Sequence, residues 1–130
     1  MRQVTAAVII ENGLLFLARR APDEKLAGMW ELPGGKVEPG ETPEECLKRE
    51  LLEELDMQCR VGELVGTVVH EYEHGEFELL AYRVERLSDW SLSVHDRAGW
   101  VCSNEVLCYP LLPADIRLLG PGGALSAWDL

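Results

Sequence analysis

Residues 42–57, TPEECLKRELLEELDM, constrain the fold more than any other stretch, because both ends of a helix are written into them. Thr42 is a good N-cap, Pro43 suits the first helical position, and Glu45 completes a capping box. A helix is therefore expected from about Pro43 to Leu55. At about 100° per residue, Leu47, Leu51 and Leu55 share an arc of about 80°, a stripe that needs a core to face. Glu54 then falls about 20° outside that arc, Glu50 about 60° and Glu53 about 120°. Glu54 starts at the buried edge and the other two fan towards solvent.

β-rich runs lie on both sides of this helix. QVTAAVIIENGLLFLARR reads as a hairpin turning at Asn12-Gly13, a strong tight-turn pair. APDEKLAGMWELPGGKVEPGE is a long loop rich in Gly and Pro, and loops of that length are more often functional than idle. CRVGELVGTVVHEYEHGEFELLAYRVERL predicts two or three strands with a turn at His74-Gly75, and GWVC a short late strand. PADIRLL predicts a second helix opened by Pro113 and stopped at Gly120. Strands, helix, strands, helix: the expectation is an α+β or three-layer fold with a mixed sheet, in a single domain over residues 1–130.

Charge narrows the partners. The net charge of −11 repels the backbone of polymeric nucleic acid, but a small phosphate ligand stays open if cations lie between the two sets of oxygens. The apolar run VTAAVII is far short of the roughly 20 residues of a membrane span. The N-terminal residues carry no secretory pattern. Cys46, Cys59, Cys102 and Cys108 match neither a zinc site nor a disulfide framework. The expectation is a cytoplasmic protein without membrane contact.

A half-buried carboxylate needs a partner or it protonates. Arg49 can pair with Glu53 at i,i+4, yet it cannot satisfy Glu50, Glu53 and Glu54 together. Hard oxygens at this spacing suit Mg²⁺ or Mn²⁺, which keep several waters and take further ligands from substrate phosphates. A bare E-x-x-E-E would otherwise be a solvated acidic face.

The rest of the segment decides between these. GKVEPGETPEECLKRELLEELDM resembles the Nudix box, in which a glycine, five residues, Glu, seven residues and Arg-Glu-apolar-x-Glu-Glu-x-Gly-apolar follow one another. Gly35, Glu41, Arg49, Glu50, Leu51, Glu53, Glu54 and Met57 match, and Asp56 stands where the family has glycine. Asp tolerates a left-handed backbone better than most residues, so the helix end is expected to survive. LARRAPDEKLAGMWELPGGKVEPGET is similar to the MutT-type branch, and YPLLPADIRLL to the end of bacterial CTP pyrophosphohydrolases. The resemblance implies a Nudix α/β/α sandwich that hydrolyses a nucleoside triphosphate to monophosphate and pyrophosphate with Mg²⁺ (or Mn²⁺). CTP, dCTP or a modified pyrimidine nucleotide is the first substrate class it implies. Sanitation of oxidised purine nucleotides such as 8-oxo-dGTP comes second, and a non-catalytic nucleotide-binding regulator a distant third.

It also implies residue roles. Glu53 and Glu54 are metal ligands, Glu50 ligates or orients the attacking water, and the carbonyl of Gly34 joins them. Glu50 takes the proton, with Glu53 as the alternative. Glu41 and Arg49 form an ion pair tying loop to helix. Arg20 and Lys36 face the phosphates, and the backbone from Glu31 to Gly34 lines the nucleotide pocket, with Trp30 or Leu32 against the base. Asp115 stands where MutT-type proteins read the base edge, and its carboxylate can accept from the amine of cytosine; its other reading is a cap of the second helix. An auxiliary acidic ligand is implied one residue before the histidine of SVHDRAGW, where this chain has Val94, so Asp96 replaces it or the ligand is missing. His95 is read as a loop residue and a minor candidate for the base. The protein is expected to be a monomer or weak dimer.

Overall fold

The runs AAVII and LLFLA have no polar side to turn to water, so their strands must be covered on both faces. The computed structural model, which describes residues 1–126 and Trp128, meets that demand with a helix on either side of the strands. In chain order the elements are β1 (Arg2–Val8), β2 (Ile10–Glu11), β3 (Leu14–Arg20), β4 (Trp30–Glu31), α1 (Pro43–Leu55), β5 (Cys59–Tyr72), β6 (Gly75–Arg86), β7 (His95–Val101) and α2 (Pro113–Leu119). β6 lies between β1, to which it is parallel, and β5, to which it is antiparallel. β3 is the hub of a second, antiparallel sheet and pairs with β2, β4 and β7.

Alternation along these strands builds two cores. Ala7, Ile9, Phe16, Leu80 and Tyr82 pack with Leu47, Leu51 and Leu55 of α1. Their chain neighbours Ala6, Val8, Leu15, Leu17, Leu79 and Ala81 pack with Ala114, Leu118 and Leu119 of α2. One face of each strand goes to each helix, which is the α/β/α sandwich and mixed sheet expected from the sequence.

Both ends of α1 are sealed. Thr42 and Glu45 exchange the two hydrogen bonds of the capping box. At the other end Asp56 sits in the left-handed region (φ 49°, ψ 36°), its N–H bonded to the Leu52 carbonyl at 3.1 Å and that of Met57 to Leu51 at 3.2 Å. Asp thus does the work of the family glycine. Ser93 Oγ donates to the carbonyls of Glu53 and Glu54 at 3.1 and 2.9 Å, and Ser91 N–H to that of Leu55, which satisfies the helix's last acceptors.

Three readings are corrected. The hairpin at Asn12-Gly13 is only two residue pairs long, Ile10 with Leu15 and Glu11 with Leu14. Residues 2–8 instead pair in parallel with β6, because that position buries both sides of Ala6, Ala7 and Val8 and a two-stranded hairpin would not. The turn between β5 and β6 is Glu73-His74, with Gly75 already paired to Tyr72. The late strand begins at His95 rather than Gly99, so His95 is no loop residue.

Candidate active site

Seven segments converge on a cavity of about 220 Å³: β1 (Val4, Thr5), the end of β3 (Arg20), β4 (Glu31), the loop from Leu32 to Lys36, α1 (Glu54), β6 (Phe77, Leu79) and α2 (Asp115). A more open hollow of about 770 Å³ lies elsewhere, between Ile9–Glu11, Arg60–Gly62 and Arg83–Asp89, and none of the expected site residues lines it. Size does not pick the site; the gathered carboxylates do.

The loop is held as an irregular strand along β1. Thr5 N–H donates to the Gly35 carbonyl at 2.8 Å, Ala7 N–H to Pro33 at 2.7 Å, and Val37 N–H to Gln3 at 3.0 Å. Two glycines make this fit possible. A Cβ on Gly34 would lie 2.0 Å from the Thr5 carbonyl oxygen, and one on Gly35 would meet the Glu50 carboxyl carbon at 2.4 Å. Gly35 is therefore the seat of Glu50.

The three box glutamates have different surroundings. Arg49 donates to Glu41 through Nε at 2.7 Å and Nη2 at 2.9 Å, a bidentate pair that holds the Glu41 carboxyl down at about 2. This is the expected tie between loop and helix. The same guanidinium reaches Glu50 at 2.9 Å and Glu53 at 3.3 Å. Burial pushes Glu50 up, against the pull of Arg49. Glu53 is mostly exposed. Glu54 alone of the three lines the cavity, and burial pushes it up to about 7, with His95 pulling down and Glu50 and Glu31 pushing up. Its Oε1 is enclosed and accepts no hydrogen bond.

Glu31 lines the same cavity as Glu54 and enters the sequence reading only through its backbone. Its carboxylate accepts from Arg20 Nη1 at 3.1 Å and from His95 Nε2 at 2.7 Å. An acid flanked by Trp30 and Leu32 must find a partner when buried, and that local pattern is the signal for it. Arg20 is braced further by its bond to the Lys25 carbonyl at 2.6 Å. Lys36 is exposed at the rim.

His95, a minor candidate for the base in the sequence, has a larger place in the structure. A bulge separates its pairing with Arg20 from the Arg19–Arg97 pair, which turns His95 inward and Asp96 outward. Asp96 is taken by Arg19 in a bidentate pair at 2.8 and 2.9 Å. Val94 is exposed and apolar. His95 is 5% exposed, and its Nδ1, like Glu54 Oε1, is enclosed without a partner. Among the described residues these are the two such side-chain atoms.

Asp115 lies in the first turn of α2, but the N-cap position belongs to Leu112 and no side chain caps the helix. The cap reading is therefore withdrawn. Asp115 Oδ2 accepts from Leu32 N–H at 3.3 Å, and burial together with repulsion from Glu31 pushes its carboxyl up to about 8. Leu32, Val4, Phe77 and Leu79 supply the apolar wall. Trp30 does not; its ring meets Tyr109 edge-on at 5.2 Å. Among the described residues no three His, Cys, Asp or Glu side chains are gathered on one point, since Glu50 and Glu53 turn to Arg49.

The NUDIX domain model matches residues 1–118. The chain belongs to the Nudix family. The CTP pyrophosphohydrolase of Escherichia coli (strain K12) is 40% identical over 98% of this chain and 95% of its own length. An 8-oxo-dGTP diphosphatase of Proteus vulgaris is 32% identical over 81% of this chain and 92% of its own. The solution structure of the E. coli ORF135 protein superposes with a TM-score of 0.81 at 39% identity, covering 89% of this chain and 84% of that one. The protein is thus a Nudix hydrolase acting on nucleotides, in a family that generally uses divalent metal ions. Among the described residues no helix is long and apolar enough to cross a membrane.

Proposed function

We propose that this Nudix hydrolase converts a nucleoside triphosphate and water to the monophosphate and pyrophosphate, with CTP or dCTP as the preferred substrate and Mg²⁺ (or Mn²⁺) as cofactor. The observation that carries this is the enclosed, unpartnered Glu54 oxygen on a cavity whose other rim offers Arg20 and Lys36. A carboxylate kept from hydrogen bonds in a half-buried place fits a hard cation, and the cationic rim fits phosphate oxygens.

Glu54 and the Gly34 carbonyl would hold the ion, joined by Glu50 and by Glu53, whose 60% exposed side chain is free to turn from Arg49. When bound, a divalent ion neutralises phosphate charge and acidifies the attacking water. The protein's own groups do the rest. Arg20 orients phosphate oxygens, and its bonds to Glu31 and Lys25 fix its direction. Glu50, which burial makes a better proton acceptor, takes the proton from water, with Glu53 as the alternative. The ion pair of Glu41 with Arg49 holds the loop against the helix while Gly35 keeps room for Glu50.

Asp115 supports the cytosine assignment. One of its oxygens is spent on Leu32 N–H, which leaves the other for the base edge. When the acid is ionised, that oxygen accepts from an exocyclic amine. In Asp115→Asn the amide oxygen stays with Leu32 and the NH₂ faces the cavity, so a donor would meet a donor. The test is pyrophosphate release over a panel of nucleotides. CTP and dCTP should lead, and Asp115→Asn should lose them first; equal loss over all bases would remove Asp115 from base recognition. The Proteus vulgaris relative's name supports a second reading, sanitation of oxidised purines such as 8-oxo-dGTP, which the same panel separates. The protein works as one domain, monomer or weak dimer, in the cytoplasm, where its free thiols stay reduced.

A further inference from the structure

His95 bonds Glu31 through Nε2 at 2.7 Å. The Glu31 carboxylate also accepts from Arg20, and an ionised carboxylate only accepts, so Nε2 carries the proton. In the neutral ring this leaves a lone pair on Nδ1. That atom is enclosed, in a side chain 1% exposed, and nothing donates to it. A carboxylate on one ring nitrogen and a free lone pair on the other is the arrangement that orients histidine towards a metal.

The second enclosed atom without a partner is Glu54 Oε1. Ser93, two residues before His95, is bonded through Oγ to the Glu54 carbonyl at 2.9 Å, which pins the start of β7 to the end of α1. Buried acceptors without hydrogen bonds are costly unless a cation or a water satisfies them.

We propose that His95 Nδ1 and Glu54 Oε1 bind one divalent cation together, so that this site mixes a nitrogen donor with the carboxylate oxygens. This rests on the metal reading above and adds a ligand of another type to it. The remaining positions would go to Glu50, Glu53, the Gly34 carbonyl, water and phosphate oxygens. An imidazole donor shifts preference from Mg²⁺ towards Mn²⁺ or Co²⁺.

The test is pulsed electron paramagnetic resonance on the whole protein loaded with Mn²⁺ and no nucleotide. The expected result is nuclear modulation from one directly bound nitrogen, converted to the ¹⁵N pattern when the histidines are ¹⁵N-labelled. The signal should vanish in His95→Gln and persist when the other histidines are replaced (H70Q with H74Q). Labelling of the unmutated protein decides the matter even where His95→Gln fails to fold. Mn²⁺ bound through oxygen alone, and lost in Glu54→Gln, would overturn the nitrogen ligand and leave the metal reading intact. Mn²⁺ binding that is absent, or indifferent to Glu54→Gln, would overturn both.

Discussion

The outer and inner flanks of α1 carry the same residue type in opposite states. On the outer flank Arg49 serves Glu41, Glu50 and Glu53 with one guanidinium. On the inner edge Glu54 has no cation bonded to it, only a cavity and a histidine ring already committed to Glu31. Charge compensated by protein makes structure; charge left without compensation in a half-buried place is where a ligand belongs.

Breaking the inner side has the largest expected effect. Glu54→Gln should lower pyrophosphate release by about two to three orders of magnitude, the usual cost of losing one electrostatic contact to the reacting group. Thermal stability should hold or rise, because an amide costs less to bury than a carboxylate. A rate within a factor of a few of wild type would show that the inner side does no chemistry.

Breaking the outer side should do the reverse. Arg49→Ala leaves Glu41, Glu50 and Glu53 without their shared cation, so Tm should fall by several degrees and the rate should fall with it as the loop loosens. Calorimetry beside a rate assay checks both. The two flanks meet at Gly35, where Ala would push the Glu50 carboxylate from its seat. The expected loss is about ten- to a hundredfold in kcat with little change in folding.

The last effect concerns pH. The Asp115 carboxyl is raised from 3.8 to about 8 in the folded protein, so between those values the native state binds a proton that the unfolded chain has released. This stabilising contribution is complete below about 4 and is lost as pH rises through about 8. Asp115→Asn should remove that slope, giving a flatter stability curve over this window in thermal unfolding. A slope identical to wild type would mean that Asp115 is ionised throughout.

Local chemistry was legible in the sequence and distant pairing was not. The bounds of α1 follow from Thr42, Pro43 and Glu45, all within four residues, and Asp56 ends the helix as its side chain allows. The buried edge at Glu54 follows from helix geometry, and the Glu41–Arg49 pair from the resemblance to the Nudix box. By contrast, β1 finds its partner more than seventy residues away, and nothing near Asn12-Gly13 announces it. His95 looks like a loop residue because Asp96 and Arg97 beside it are charged. Only the bulge against β3 reveals that one turns in while Asp96 turns out to Arg19. Glu31 is legible only as backbone lining the pocket, because the partners of its carboxylate come from β3 and β7, which only the fold brings together.

The claim beneath all of this is that a divalent cation occupies the enclosed place beside Glu54. Crystals soaked in Mn²⁺ with a non-hydrolysable nucleotide, measured for anomalous scattering, test it most directly. The account predicts a peak at about 2.0–2.2 Å from a Glu54 oxygen, in contact with a phosphate. Clear nucleotide density with no anomalous peak against Glu54 would contradict it.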